Sequence, residues 1–177
     1  MDHIQGLYDF APFYDPEFTV HLYGEAKGQW DFQTLLKRLL GPPYWPVGFG
    51  DFQAKVVFHE IGPGHCLTLP GEDTDVLIRT FRACHPGGSL MYRLEGHGKC
   101  LAYLLDCEAD EALEEEMLGC AGNADLIVWD AGYTKEDLQK GWGHSTWEQG
   151  VEFLRAAKAG EIWMTHYNRR YTDSFLR

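Results

Sequence analysis

Residues 99–106 read Lys-Cys-Leu-Ala-Tyr-Leu-Leu-Asp, an apolar strand over 99–105 that stops on an acid, Asp106. The same ending recurs twice downstream. Asp125-Leu126-Ile127-Val128-Trp129 reads as a short buried strand followed by Asp130, and Glu161-Ile162-Trp163-Met164-Thr165 as a strand followed by His166. Upstream, residues 76–84 and 89–94 are two strands around His85-Pro86-Gly87-Gly88, a hairpin or sharp corner. Apolar strands that end in polar residues can bring those residues to one rim of a sheet, where rigid backbone holds them.

Around this frame the remaining pattern is mixed. Residues 18–23 read as a strand. Trp30, Leu35, Leu36, Leu39 and Leu40 form the apolar stripe of a helix, which Gly41-Pro42-Pro43 ends because proline cannot continue it. Residues 42–52 are an aromatic, Pro/Gly-rich loop, either a packed surface loop or a flap over a substrate. Residues 54–61 are a strand, 109–119 an acidic helix, and Ser145 or Thr146 caps a helix running to about residue 159. A strand-rich first half and an alternating second half predict an α/β chain with layered α+β packing, in one domain over 1–177.

Composition narrows the function. Hydrophobic residues make up 45% of the 177, and the run lengths fall short of a membrane span. With Asp2 following the first methionine, no basic-then-apolar signal peptide opens the sequence, so a soluble cytoplasmic protein with no membrane partner is expected. Five cysteines without ligand spacing suggest buried reduced thiols. The net charge of −12 argues against a broad nucleic-acid surface, which needs cations to displace counterions. It leaves room for a small anion held by metals, whose local charge outweighs the distant surface.

The residues that could carry chemistry are few. Met1-Asp2-His3-Ile4-Gln5-Gly6 opens with an acid beside a histidine, a good ligand pair. With His85, Asp106, Asp130 and His166 they supply carboxylates and imidazoles, which suit zinc, manganese or iron. Each also has a bland reading. His85 starts a Pro-Gly-Gly turn, Asp106 and Asp130 cap the segments after them, His166 is a satisfied histidine, and His144 precedes a helix cap. His21, His59, His65 and His97 are read as ordinary strand and turn residues, and Cys84 and Cys107 as packing.

Taken together and in order, these pieces resemble a metallo-β-lactamase-fold hydrolase, more narrowly the phosphodiesterase and ribonuclease Z branch. Met1-Asp2-His3 is similar to the end of that family's His-x-His-x-Asp-His motif. His85-Pro86-Gly87-Gly88, Leu105-Asp106 and Thr165-His166 match its later ligand motifs, and Asp130-Ala131-Gly132-Tyr133-Thr134 with Gly141-Trp142-Gly143-His144-Ser145-Thr146 matches a subfamily signature. The resemblance implies two metal sites. Asp2, His3, Asp106 and His166 would form one; His85 and a bridging Asp106 would belong to the other. Asp2 would orient or deprotonate the attacking water, and His144 would act as general acid. One or two Zn2+ ions, with Mn2+ or Fe as alternatives, would supply a hydroxide for in-line attack on phosphorus.

The sequence departs from the family pattern at its start, where the His-x-His pair is absent. The resemblance therefore implies a partial αββα sandwich lacking N-terminal strands, and it leaves enzymatic activity of this chain open. Three readings result. The first is a phosphodiesterase acting on a small phosphodiester or cyclic nucleotide. The second is a truncated, non-catalytic or weakly metal-binding domain completed by a partner chain or a homo-oligomer. The third is a hydrolase of a thioester, lactone or other small ester. The acidic surface favours a small-molecule substrate over nucleic acid.

Overall fold

The structure, a computed structural model, describes residues 2–176. The chain divides into two compact units, the first ending at Gly62 and the second beginning at Pro63.

The first unit opens with two 3-10 helices, Asp2–Asp9 and Ala11–Tyr14. Strand β1 (Thr19–Gly24) comes next, then helix α1 (Phe32–Leu39) and strand β2 (Lys55–Glu60). The two strands pair in parallel, Thr19 opposite Lys55 and Gly24 opposite Glu60. Helix α1 starts where Asp31 caps it, its carboxylate accepting from Thr34 N at 2.7 Å and Thr34 Oγ1 at 2.8 Å. Its buried side is Phe32 and Leu36, with Leu40 just beyond, as the apolar stripe predicts. Alternate strand residues Val20 and Leu22 pack inward, and Phe13 stacks on Phe52 with ring centroids 4.3 Å apart. The aromatic loop is mainly packing: Phe49 and Phe52 join this core and Trp45 stacks on Tyr8. Tyr44 is its exception, 74% exposed.

The second unit is a six-stranded sheet with helices against it. Its strands are β3 (Cys66–Leu69), β4 (Val76–Ala83), β5 (Ser89–Gly96), β6 (Lys99–Leu104), β7 (Leu126–Asp130) and β8 (Glu161–Thr165), laid side by side in chain order. Strands β3 to β6 are antiparallel neighbours; β6, β7 and β8 are parallel. Parallel neighbours need crossovers, supplied by helix α2 (Glu114–Ala121) and helix α3 (Trp147–Ala156). The inward face alternates as strand pleating requires: Cys100, Ala102 and Leu104 on β6, Ile127 and Trp129 on β7. Met117, Cys120 and Ala121 from α2 and Phe153 and Leu154 from α3 close over them.

Two details fix α3. Thr146, rather than Ser145, is its N-cap, and its side chain accepts from Gln149 N while the Gln149 side chain accepts from Thr146 N, a reciprocal capping box. Gly150 then lets the helix come close to β7, since a Cβ there would sit 2.7 Å from the Trp129 ring and 2.8 Å from Met164 Cε.

Three sequence expectations are adjusted. The acidic helix over 109–119 begins as a 3-10 turn, Glu111–Leu113, and becomes α-helical at Glu114. Asp110 caps that turn by accepting from Ala112 N at 2.8 Å. The edge strand β3 adds an element that the sequence pattern does not predict. All five cysteines are free thiols, but Cys66 is exposed and Cys84 half-buried. Burial pushes the Cys107 and Cys120 thiols up to about 12, so both stay protonated and inert, as packing residues should. No helix among the described residues is long and apolar enough to cross a membrane.

Candidate metal centre

Because β6, β7 and β8 run in parallel side by side, their C-terminal ends share one edge of the sheet. Asp106 lies just past β6, Asp130 closes β7 and His166 lies just past β8. His144 joins them from the loop before α3. One donor atom from each of Asp106, Asp130, His144 and His166 lies within 4.8 Å of all the others. Among the described residues, no other group of three or more His, Cys, Asp or Glu side chains converges in this way.

The backbone at two of these positions is unusual. Asp106 has φ +47° and His166 has φ +63°, the left-handed region that non-glycine residues seldom occupy. Each turns the chain sharply out of a strand just where the side chain meets the centre. Such geometry persists only when the surroundings impose it.

Asp130 is the hub. It is fully buried, and its oxygens are engaged from several sides. Oδ1 accepts from Gly132 N at 3.0 Å and lies 3.4 Å from His166 Nδ1. Oδ2 accepts from His144 Nδ1 at 2.8 Å and from Cys107 N at 3.4 Å. Burial alone would raise the Asp130 pKa, but the hydrogen bonds from His144 and His166 outweigh it and hold the carboxyl below its ordinary value. Ionised, it can only accept, so His144 Nδ1 must carry the proton of their bond. His166 sits between the two acids, with Nε2 3.4 Å from Asp106 Oδ1.

The loop carrying His144 is held in place by neighbours. Glu108 Oε2 accepts from Gly141 N at 2.7 Å and from Gly143 N at 3.1 Å. The buried Ser145 hydroxyl donates to Cys107 O at 2.6 Å and accepts from Ala109 N at 2.8 Å. Gly143, at φ +84°, passes so close to His85 that a Cβ there would collide with the imidazole ring. His85 starts the β4–β5 turn, with Gly88 N donating to its carbonyl, and its ring centroid lies 5.6 Å from that of His144.

Of the sequence candidates, Asp106, His144 and His166 thus meet in one cluster, with His85 alongside. His3 is exposed in the first 3-10 helix of the first unit. The side chain of Asp2 lies outside the described residues. Asp130 is the residue that the family motifs leave out of the ligand set; its strand-end position is the signal that places it here. Glu108 carries no signal at all within an acidic stretch.

The donor set fits a metal. Asp106 and His166 Nε2 would hold it, two hard-to-borderline donors that suit zinc, manganese or iron. Asp130 lies behind both histidines, in the place that an orienting carboxylate takes behind metal-binding imidazoles.

A strand-edge centre on this fold defines a class, and sequence comparison agrees. Residues 1–167 match the beta-lactamase superfamily domain, and the chain belongs to that family. It is similar to the ribonuclease Z of Bacillus velezensis, 34% identical over 76 residues, which are 42% of this chain and 23% of that protein. Among solved structures it resembles the metallo-beta-lactamase fold protein YhfI from Bacillus subtilis, with TM-score 0.72 and 20% identity, over 99% of this chain and 65% of that one. The short form of human tRNase Z superposes with TM-score 0.67 and 17% identity, over 87% of this chain and 62% of that one. The match to the curated relative spans about a quarter of that protein's length, and the likeness to YhfI spans about two thirds of its chain.

Proposed function

We propose that this chain carries the metal-holding centre of a metal-dependent phosphodiester hydrolase acting on a small phosphodiester or cyclic nucleotide. The observation that carries the reading is the convergence of Asp106, Asp130, His144 and His166 within 4.8 Å at one end of three parallel strands. The local likeness to a ribonuclease Z supports phosphodiester chemistry, and the net charge of −12 favours a small substrate over a polyanion.

Asp106 and His166 are the proposed ligands, with His85 beside them as a further one. A bound divalent ion would supply Lewis acidity toward a phosphoryl oxygen and acidify a water near neutral pH. Zinc is the proposed ion, with manganese or iron as alternatives that the same donors accept. The rest is the work of the protein. Asp130 keeps the His144 proton on Nδ1, so Nε2 is the nitrogen that can meet a substrate or leaving-group oxygen. To act as the acid, Nε2 takes a proton from solvent, forming an imidazolium that Asp130 stabilises from behind. It passes that proton to the departing alkoxide, which leaves the ring neutral again. Asp2 and His3 remain proposed ligands on the resemblance of Met1-Asp2-His3 alone.

The test combines metal content with turnover of bis(p-nitrophenyl) phosphate. Wild-type chain should bind zinc and turn the ester over. Asp106→Asn should lose both while keeping its circular dichroism, since asparagine tolerates the left-handed backbone. His144→Gln should keep the metal and lose most of the rate. Turnover that survives Asp106→Asn, or a wild-type chain that binds no metal, would overturn the reading. His3→Ala with unchanged metal stoichiometry would remove His3 from the ligand set.

A further inference from the structure

A second site is suggested by the first unit. In a chain of net charge −12, the last turn of α1 presents Lys37 and Arg38 side by side, both exposed. Neither forms an ion pair with a carboxylate among the described residues. Each is seated on a ring instead. The Arg38 guanidinium lies 4.2 Å from the Trp30 ring centroid, and Lys37 Nζ lies 5.7 Å from that of Phe58. A ring beneath a cation fixes its position without neutralising it. A stacked guanidinium keeps its edge N–H donors for two oxygens of a phosphate or carboxylate.

The same cations line a groove of about 590 Å3, with Trp30, Leu35, Pro43 and Tyr44 among its other walls. That volume suits a small ligand. Tyr44 projects there with three quarters of its surface exposed, beside Pro42 and Pro43, a rigid mount for an aromatic plate. Two cations at a helix C-terminus also answer the negative end of the helix dipole. The dipole accounts for their sign, but not for the ring beneath each or for the solvent-facing aromatic in the same groove.

We propose that this groove binds a nucleotide, free or within a short single strand, with Arg38 and Lys37 on the phosphate and the base stacked on Tyr44. Stacking serves every base, so the site selects the nucleotide class over a particular base. The negative charge of the rest of the chain restricts it to short ligands and makes binding salt-sensitive. The site belongs to the first unit alone and stands independently of the Asp106 centre.

The experiment is fluorescence anisotropy of a fluorescein-labelled deoxyadenosine hexanucleotide at about 50 mM salt, low enough to preserve phosphate contacts. EDTA is present throughout, so the metal centre neither cleaves nor holds the probe, and failure of the phosphodiesterase reading cannot mimic failure here. The wild-type chain should bind the probe. Arg38→Gln and Tyr44→Ala should each weaken binding about tenfold, and AMP should compete at far lower concentration than inorganic phosphate. Tyr44→Ala leaves the fold intact because the ring is exposed, so it carries the test if Arg38→Gln unfolds. Equal affinity in folded Arg38→Gln and Tyr44→Ala overturns the proposal. Competition by phosphate as strong as by AMP overturns it in favour of a bare anion patch, and displacement by a phosphoserine peptide as strong as by AMP overturns it in favour of a protein partner.

Discussion

Asp130 Oδ2 accepts from His144 Nδ1 at 2.8 Å, while Asp130 Oδ1 lies 3.4 Å from His166 Nδ1. One buried carboxylate therefore holds the His144 ring by a hydrogen bond and faces the His166 ring from behind. Asp130→Asn keeps the shape but puts a neutral amide where an ionised acceptor stood. Outer carboxylates of this kind are worth about 10–100-fold in metal affinity. We expect zinc affinity, measured by competition with a chromophoric chelator, to fall by about that factor, with a stability loss of about 1–3 kcal/mol because the amide NH2 then faces donors in a buried place. Unchanged affinity would show that the histidines are held by something else.

Glu108 acts one step further out. Its carboxylate gathers Gly141 N and Gly143 N, and so sets the loop that delivers His144. Glu108→Ala leaves two amides without their acceptor, one of them on the buried Gly143. The expected cost is about 1–3 kcal/mol, at the lower end because Gly141 is exposed and regains water. The informative readout is the His144 Hδ1 proton resonance, which should broaden in Glu108→Ala and recover in Glu108→Gln. A stability loss with that resonance unmoved would make Glu108 a structural residue only.

Much of this centre is legible in the sequence because strand ends are. Asp106, Asp130 and His166 each close an apolar run, and parallel pairing of β6, β7 and β8 carries all three to one edge. The difference between their roles is not in the sequence. Asp130 is still paired within the strand, opposite Thr165, and stays buried, whereas Asp106 turns out of its strand at positive φ toward the histidines. Residue type and spacing are the same in both cases; only backbone conformation distinguishes them. Strand β3 is illegible for a different reason. Four residues at a sheet edge, with two of them exposed, give too little alternation to read. The 3-10 turn at 111–113 arises from the Asp110 cap, a competition between side chain and helix that propensity does not resolve.

The approach of α3 to β7 makes a packing prediction. A methyl at Gly150 would press on Trp129, which is 1% exposed and whose Nε1 is tied to Thr146 O at 3.0 Å. The ring has no room to yield, so Gly150→Ala should cost about 1–3 kcal/mol as overpacking. For a chain of this size that lowers Tm by about 2–4 °C per kcal/mol. Gly6→Ala, where a Cβ meets nothing within 4 Å, is the control and should stay within about 0.5 kcal/mol of wild type. Equal Tm values for the two variants would mean that the helix shifts to accept the methyl.

The C-terminal segment is tied down at Tyr171 by a polar node whose strength depends on pH. Tyr171 Oη donates to Asp137 Oδ2 at 2.7 Å, and Asp137 Oδ1 accepts from Thr134 N and Thr134 Oγ1 at 2.7 and 2.9 Å. For Asp137, burial pushes upward, but the bonds from Tyr171 and Thr134 prevail and hold its carboxyl below the ordinary value. For Tyr171, burial comes first and the bond to Asp137 second, and together they push the phenol up to about 12. The signs then differ. A depressed acid stabilises the docked segment above its unfolded pKa, and that contribution is lost as pH falls through the carboxylate range. A raised phenol stabilises below its unfolded value near 10, and its contribution is lost as pH climbs from about 10 to about 12. Protection of the Tyr171 amide, which donates to Asn168 O at 2.9 Å, should therefore form a plateau from about pH 5 to 9 after correction for intrinsic exchange, and fall on both sides. Tyr171→Phe removes the shared proton and should flatten both edges, lowering the plateau; Asp137→Asn should flatten the acid edge. A wild-type profile without an acid edge would mean that the attachment is carried by Thr134 N, which donates to Tyr171 Oη at 3.1 Å, rather than by Asp137.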